Sequence, residues 1–279
     1  MSIYVPGKLT LAKEFTVQDY MWSFPQQYGL WSPAEISTAL WLDAADASTV
    51  TTVSGAVSQW NDKSGNSRHA TQSTAGARPT YTPAGQNGRN VVTFVGANTN
   101  WLALPDSTNP TGANGTFAAC RPNHTIPSNA IVGRAYYWGS WTLASVATGT
   151  SGRFAMGRNN ADEALSEVSG LSNDSDKIFS GTYDNVNVTI AVNGGTPVST
   201  PYTPNPTYSL SDATSIGVAR NTNNGAAASF NGPMYEIIVL HSAPSTDTRQ
   251  RIEGYLAHKW GLTANLPNDH PYKTVGPTP

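Results

Sequence analysis

The sequence predicts an all-β sandwich carrying one late helix, and three observations lead there. Charged residues are only 12% of 279 positions, about half of the roughly 25% usual in globular chains. Apolar residues still reach 38%, too many for a disordered polar chain. That content, over this length, suits one sandwich of roughly 200–250 residues built from short strands and Gly/Pro/Asn/Ser turns. The third observation is "RQRIEGYLAHKWG", residues 249–261, a compact helical pattern among strand-like runs.

From the N-terminus, residues 1–36 form an extended arm. Its aromatics follow neither a period of 2 nor of 3.6, and Pro6, Pro25 and Pro33 break any long element. Such a segment suits lying on another surface, since Trp and Tyr dominate interface anchors. Tyr20, Trp22, Phe24, Tyr28 and Trp31 are the candidate docking residues. Two surfaces fit: a partner subunit, or the chain's own sandwich.

Residues 37–273 form the sandwich, and 274–279 a short tail. "ALWLDAAD" reads as a strand ending in acidic turn residues, and "AVSQWNDKSGN" as a strand entering a Gly/Asn turn. "VVTFVG" and "WLALPD" read as a strand pair across the loop "ANTN". In "NVNVTIAVNGGTPV", Val186, Val188, Ile190 and Val192 alternate with Asn187, Thr189 and Ala191. "NGG" then supplies the positive φ angles of a tight hairpin. "MYEIIVL" is apolar on both faces except at Glu236 and reads as a central strand. No internal repeat of a solenoid or propeller is visible.

The helix has a start, a stripe and a stop. Ser245 or Thr246 is the N-cap, and Asp247 complements the helix dipole in the first turn. Ile252, Tyr255, Leu256 and Lys259 follow helical spacing, with Trp260 extending the stripe. Gly261 sits where a left-handed residue ends helices. Gly254 costs about 1 kcal/mol against Ala inside a helix, which implies that a neighbour approaches closely there. Such a helix is expected to cover an open edge or end of the sandwich.

"LWLDAADASTVTTVSGAVSQWNDKSGNSRHATQ", "RPTY", "VVTFVG", "VNGG" and "YEIIVLHSAPSTDTRQRIEGYLAHKWGL" occur in that order. Together they resemble the concanavalin A-like lectin/glucanase superfamily, in its laminin-G-like bacterial and phage branch. The resemblance covers roughly residues 38–273, and the terminal helix segment is its most specific part. It implies a two-sheet antiparallel jelly roll that recognises glycans or proteins, of the kind found in phage tail fibres, virion decorations and bacterial surface proteins.

Chemistry enters weakly. The E-x-D-x-x-E carboxylate pattern of hydrolases in that superfamily is missing, and "DEALSE" (Asp162, Glu163, Glu167) reads as a solvated turn or short helix. Retaining hydrolysis needs two carboxyls about 5 Å apart. Glu236 reads as a structural carboxylate bonded to backbone or Arg. The five histidines lack metal-ligand spacing, and no nucleophile elbow or dinucleotide fingerprint occurs. The expectation is therefore a protein without enzymatic activity or cofactor.

Calcium is the one candidate ion. The resemblance implies Asp and Asn loop oxygens, and Asp62 and Asn66, with Asp43 and Asp46 nearby, hold such positions. Asp62 serves equally as a turn former bonding its own backbone. For glycans, "RAYYWGSWTL" gathers Tyr136, Tyr137, Trp138 and Trp141, flat rings on which sugar C–H faces stack. A core strand with alternate aromatics explains the same residues.

Cys120 is the only cysteine, which excludes an internal disulfide and a Cys-based zinc site. The net charge of -2 offers no basic stripe for nucleic acid. No apolar run approaches the roughly 18–20 residues of a membrane span, and the opening residues lack a secretion signal's apolar core. The sequence reading is a virion structural or adhesion protein of a tailed phage or related particle, made in the host cytoplasm. The arm would dock it to other virion subunits, and a homo-oligomer would display the sandwich for multivalent binding to host surface glycan. The alternative is a structural cement protein that joins subunits and binds no sugar.

Overall fold

The computed structural model describes residues 29–123, 128–134, 141–146, 150–159, 162–203, 214–220 and 226–279. The expected two-layer antiparallel architecture is present. In spatial order, the first layer holds Leu40–Asp43, Gly232–Leu240, Asn114–Cys120, Lys177–Tyr183, Asn187–Val192 and Val198–Pro201. The second holds Asp162–Val168, Ser151–Asn159, Thr142–Val146, Ser128–Arg134, Thr214–Ile216, Leu102–Ala103, Ala70–Thr71, Ala56–Trp60 and Val50–Val53. The hairpin Thr80–Gln86/Arg89–Phe94 links the layers, pairing Thr80 with Ala56 and Val92 with Met234. Seventeen described strands thus share one hydrogen-bonded sheet folded onto itself.

Close approach between the layers is visible at Gly181, where a Cβ would lie 2.3 Å from the Phe154 ring. Only glycine leaves room for that ring. Trp141 spans the same gap, its indole Nε1 donating to Thr116 Oγ1 at 2.8 Å.

Register decides what the other face of the first layer does. Thr116 points toward the second layer, so Ala119, three residues on, points away from it. Its register partners Glu236 and Ile178 point away too, as does Asp43 beside Glu236. An α-helix, Thr246–Trp260, covers this outer face. "MYEIIVL" is apolar on both sides because one side meets the second layer and the other lies under the helix.

The helix ends follow the sequence. Ser245 Oγ accepts from Thr248 N–H at 3.1 Å, and Gly261 closes the helix at φ 71°. The close neighbour at Gly254 is Tyr272, whose Cβ would lie 2.4 Å from an added Cβ. The position differs from the expected edge or end: the helix rests on the inner strands Asn114–Cys120 and Lys177–Tyr183, and its Tyr255, Lys259 and Trp260 bond to Glu236 on the neighbouring inner strand.

Other expectations change. "VVTFVG" and "WLALPD" take different partners: Arg89–Phe94 joins Gly232–Leu240, while Leu102–Ala103 joins Thr214–Ile216 and Ala70–Thr71. "DEALSE" lies in the strand Asp162–Val168 rather than in a turn or helix, with Glu167 ion-paired to Arg153. The 193–194 turn forms as expected, with φ 54° at Asn193 and 66° at Gly194. Val186, however, is 59% exposed and lies before the strand that buries Val188, Ile190 and Val192.

Candidate functional site

The most heavily bonded polar cluster lies beneath the helix. Glu236 is fully buried, and four side chains donate to it. Trp41 Nε1 and Tyr255 Oη reach Oε1 at 2.7 and 2.9 Å, and Lys259 Nζ and Trp260 Nε1 reach Oε2 at 2.7 and 2.8 Å. Lys259 also pairs with Asp43, and Lys63 continues the chain of charges to Asp43 and Asp46. Burial pushes the Glu236 carboxyl above its ordinary range, and the Lys259 ammonium opposes that. All four partners donate, an arrangement that suits the ionised form. The expected backbone or Arg partner of Glu236 is thus replaced by Lys259, two indoles and a tyrosine. A carboxylate so enclosed ties two strands and the helix together and has no free lone pair aimed at solvent.

The candidate residues read from the sequence do not assemble into one site. Tyr136, Tyr137 and Trp138 lie outside the described residues. Trp141 is only 2% exposed, and with its indole committed to Thr116 it fills the core and offers no ring to a sugar. Tyr20, Trp22, Phe24 and Tyr28 also lie outside the described residues. Trp31 packs on its own chain: it is 2% exposed, meets the Tyr255 ring edge-on at 6.1 Å, and donates its N–H to Pro277 O at 2.8 Å. The C-terminal tail runs back past the helix to make that bond.

Asp62 and Asn66 form a turn that anchors the first strand. Asp62 Oδ1 accepts from the N–H groups of Trp41 and Ser64 at 2.9 Å each, and Oδ2 from Ser64 Oγ at 2.7 Å and Arg68 N–H at 3.0 Å. Asn66 Nδ2 donates to Thr38 O and Ala39 O at 2.9 and 3.2 Å. The Asp62 oxygens are spent on its own loop and on the Trp41 N–H of the first strand, as a turn former's are. Among the described residues, no group of three His, Cys, Asp or Glu side chains is placed to hold a metal ion.

The structure adds a site that sequence reasoning missed. At one end of the first layer, an open cleft of about 540 Å³ is lined by residues from four separate segments, among them Arg121, Asp174, Asp176, Lys177, Asn193 and Asn265. Its walls are held in place. Arg121 Nε and Nη2 grip Asp176 at 2.9 and 3.1 Å, and Tyr235 Oη donates to the same carboxylate. Asn265 Nδ2 donates to Asp176 O at 2.9 Å, and Asn193 Oδ1 accepts from Ile178 N–H at 2.8 Å. The Lys177 ammonium is wrapped by Ser172 O, Ser175 O and Ser175 Oγ. Burial pushes its pKa down. The only local signal was the polar run "SNDSDK" before a strand, which turn chemistry explains equally well.

No family model matches the chain, and no curated protein does. Its fold is similar to solved binding domains of botulinum neurotoxins. The serotype D/C VPI 5993 binding domain aligns with a TM-score of 0.51 at 12% identity, over 79% of this chain and 52% of that one. A type C structure, of a toxin whose cell entry depends on interaction with two ganglioside molecules, gives 0.52 at 12% identity, over 79% and 51%. The DC binding domain in complex with rat synaptotagmin II gives 0.50 at 12% identity, over 79% and 52%. The chain therefore spans about half the length of these structures, and at this identity the likeness is one of fold.

Proposed function

We propose that this chain is a non-enzymatic recognition module that binds surface glycan. The observation that carries the reading is the polar cleft, built from segments far apart in sequence and braced by the Arg121–Asp176–Tyr235 cluster. Its sandwich fold supports the reading, since similar folds occur in toxin structures, one of a toxin whose cell entry depends on interaction with two gangliosides and one a binding domain in complex with synaptotagmin. Among the described residues, the most buried carboxylates, Glu236 and Glu253, are each ion-paired, to Lys259 and to Arg249. Neither presents the solvent-facing pair that glycoside hydrolysis needs.

Display on a virion belongs to the same proposal. It rests on the aromatic arm, with Tyr20, Trp22, Phe24 and Tyr28 as docking residues and Trp31 excluded because it packs inside its own chain. Many weakly binding copies on one particle would gain avidity by roughly 10²–10⁴. A glycan array probed with the full chain tests the reading. Selective binding to a saccharide class supports it. Uniform failure by correctly folded protein overturns it and leaves the cement role.

A further inference from the structure

We infer that the cleft selects an uncharged, hydroxyl-rich saccharide and disfavours anionic sugars; this rests on the glycan-binding reading above. Four ionisable side chains line the cleft: Arg121, Lys177, Asp174 and Asp176. Both cations are already committed. Arg121 is held by the Asp176 carboxylate on two nitrogens. Lys177 is enclosed by three oxygens of the 172–175 loop and is 1% exposed as a residue. Asp174 is exposed, and its carboxylate accepts no hydrogen bond from any described residue. An anionic sugar would therefore meet the exposed Asp174 carboxylate, with Arg121 Nη1 the one cationic nitrogen among these left uncommitted, and like charge brought together is a means of discrimination.

The uncommitted hydrogen-bonding atoms point the same way. Asn193 spends Oδ1 on the Ile178 N–H and keeps Nδ2 as a donor. Asn265 spends Nδ2 on Asp176 O and keeps Oδ1 as an acceptor. Among the described residues Arg121 Nη1 has no partner, so it adds donors, while Asp174 adds acceptors only. The set mixes donors and acceptors. A sugar hydroxyl does both at once, which neither a carboxylate nor an ammonium group can. Asp174 itself sits at φ 51°, a left-handed conformation that Asp and Asn tolerate better than other side chains. Its backbone N–H is pinned to Pro122 O at 2.9 Å, so the carboxylate is presented from a fixed turn.

The test titrates the full chain with lactose, maltotriose and chitotriose as neutral probes and with sialyllactose as the anionic one, read by saturation-transfer NMR and calorimetry. At least one neutral probe is expected to bind, and more tightly than sialyllactose. Asp174→Asn keeps the turn and removes the charge. It should weaken the neutral ligand about tenfold, the worth of one charge-assisted hydrogen bond, and narrow its lead over sialyllactose. Asn265→Ala is the second variant, with melting curves confirming that both fold. Tighter binding of sialyllactose by the parent overturns the inferred class. Neutral binding untouched by either variant overturns the cleft as its site and leaves glycan binding standing. No binding of any saccharide, here and on the array, overturns both.

Discussion

Lys259 Nζ lies 2.7 Å from Glu236 Oε2 and 2.7 Å from Asp43 Oδ1, joining the helix to two adjacent strands at a largely buried place. Removing one partner of a buried ion pair costs about 3–5 kcal/mol, because the remaining charge is left uncompensated. Lys259→Met should therefore lower stability by about that amount in urea titrations. Adding Glu236→Gln to it should recover part of the loss. A double variant less stable than Lys259→Met alone would show that the carboxylate does not depend on this ammonium.

Trp31 belongs to the folded body, so the proposed arm is confined to residues before it. Deleting residues 1–28 should leave the melting temperature nearly unchanged. Deleting 1–36, or making Trp31→Ala, should cost about 3–5 kcal/mol, the range for truncating a buried Trp. Equal stability of the two truncations would mean that the Trp31–Tyr255 contact contributes nothing.

Gly254→Ala sets helix propensity against packing. Ala gains about 1 kcal/mol in a helix, but its Cβ would stand 2.4 Å from Tyr272 Cβ. Overpacking costs about 1–3 kcal/mol, so the variant should be destabilised and residues 267–279 should become more susceptible to proteolysis. A stabilised variant with an unchanged digestion pattern would refute the close contact.

Asp46 gives a pH dependence of known sign. The Lys63 ammonium at 2.8 Å and the Ser48 hydroxyl hold its carboxyl below its ordinary 3.8. A carboxyl lowered on folding stabilises above its unfolded pKa and loses that contribution as pH falls through the folded one. Asp46 is partly exposed, so its pair with Lys63 is worth at most about 1 kcal/mol. The parent should exceed Asp46→Asn in stability at pH 7, and the gap should narrow below pH 3.8. A gap that widens on acidification would contradict this assignment.

Asp62 works as a turn anchor with four donors on its two oxygens. Asp62→Ala should cost about 2–4 kcal/mol, since charge-assisted bonds to buried backbone N–H groups are lost. Millimolar calcium should leave the parent's melting temperature unchanged. A clear rise would show that these oxygens prefer a cation to their own loop.

Much of the architecture was legible because local patterns report local geometry. Alternation at Val188, Ile190 and Val192 marked a strand, Asn193–Gly194 its turn, and Ser245 and Gly261 the two ends of the helix. The apolar run around Glu236 signalled a strand covered on both faces. A two-residue period shows that alternate side chains turn inward, but it does not name the strand that comes to lie alongside. That is why "VVTFVG" and "WLALPD" found different neighbours, and why the helix lies over inner strands rather than an edge.

The candidate site was decided only by tertiary structure. Aromatic clustering drew attention to Trp141 and Trp31, yet apolar area is used wherever it can be buried, and both were taken into the fold. The cleft joins the end of one strand at Arg121, the loop at 174–177, the turn at Asn193 and the segment after the helix at Asn265. No spacing rule links those positions. Sequence fixes which local elements can form, through backbone sterics and side-chain period. Which polar groups remain unpaired at the surface depends on long-range closure, because each becomes free or committed only once distant segments have met.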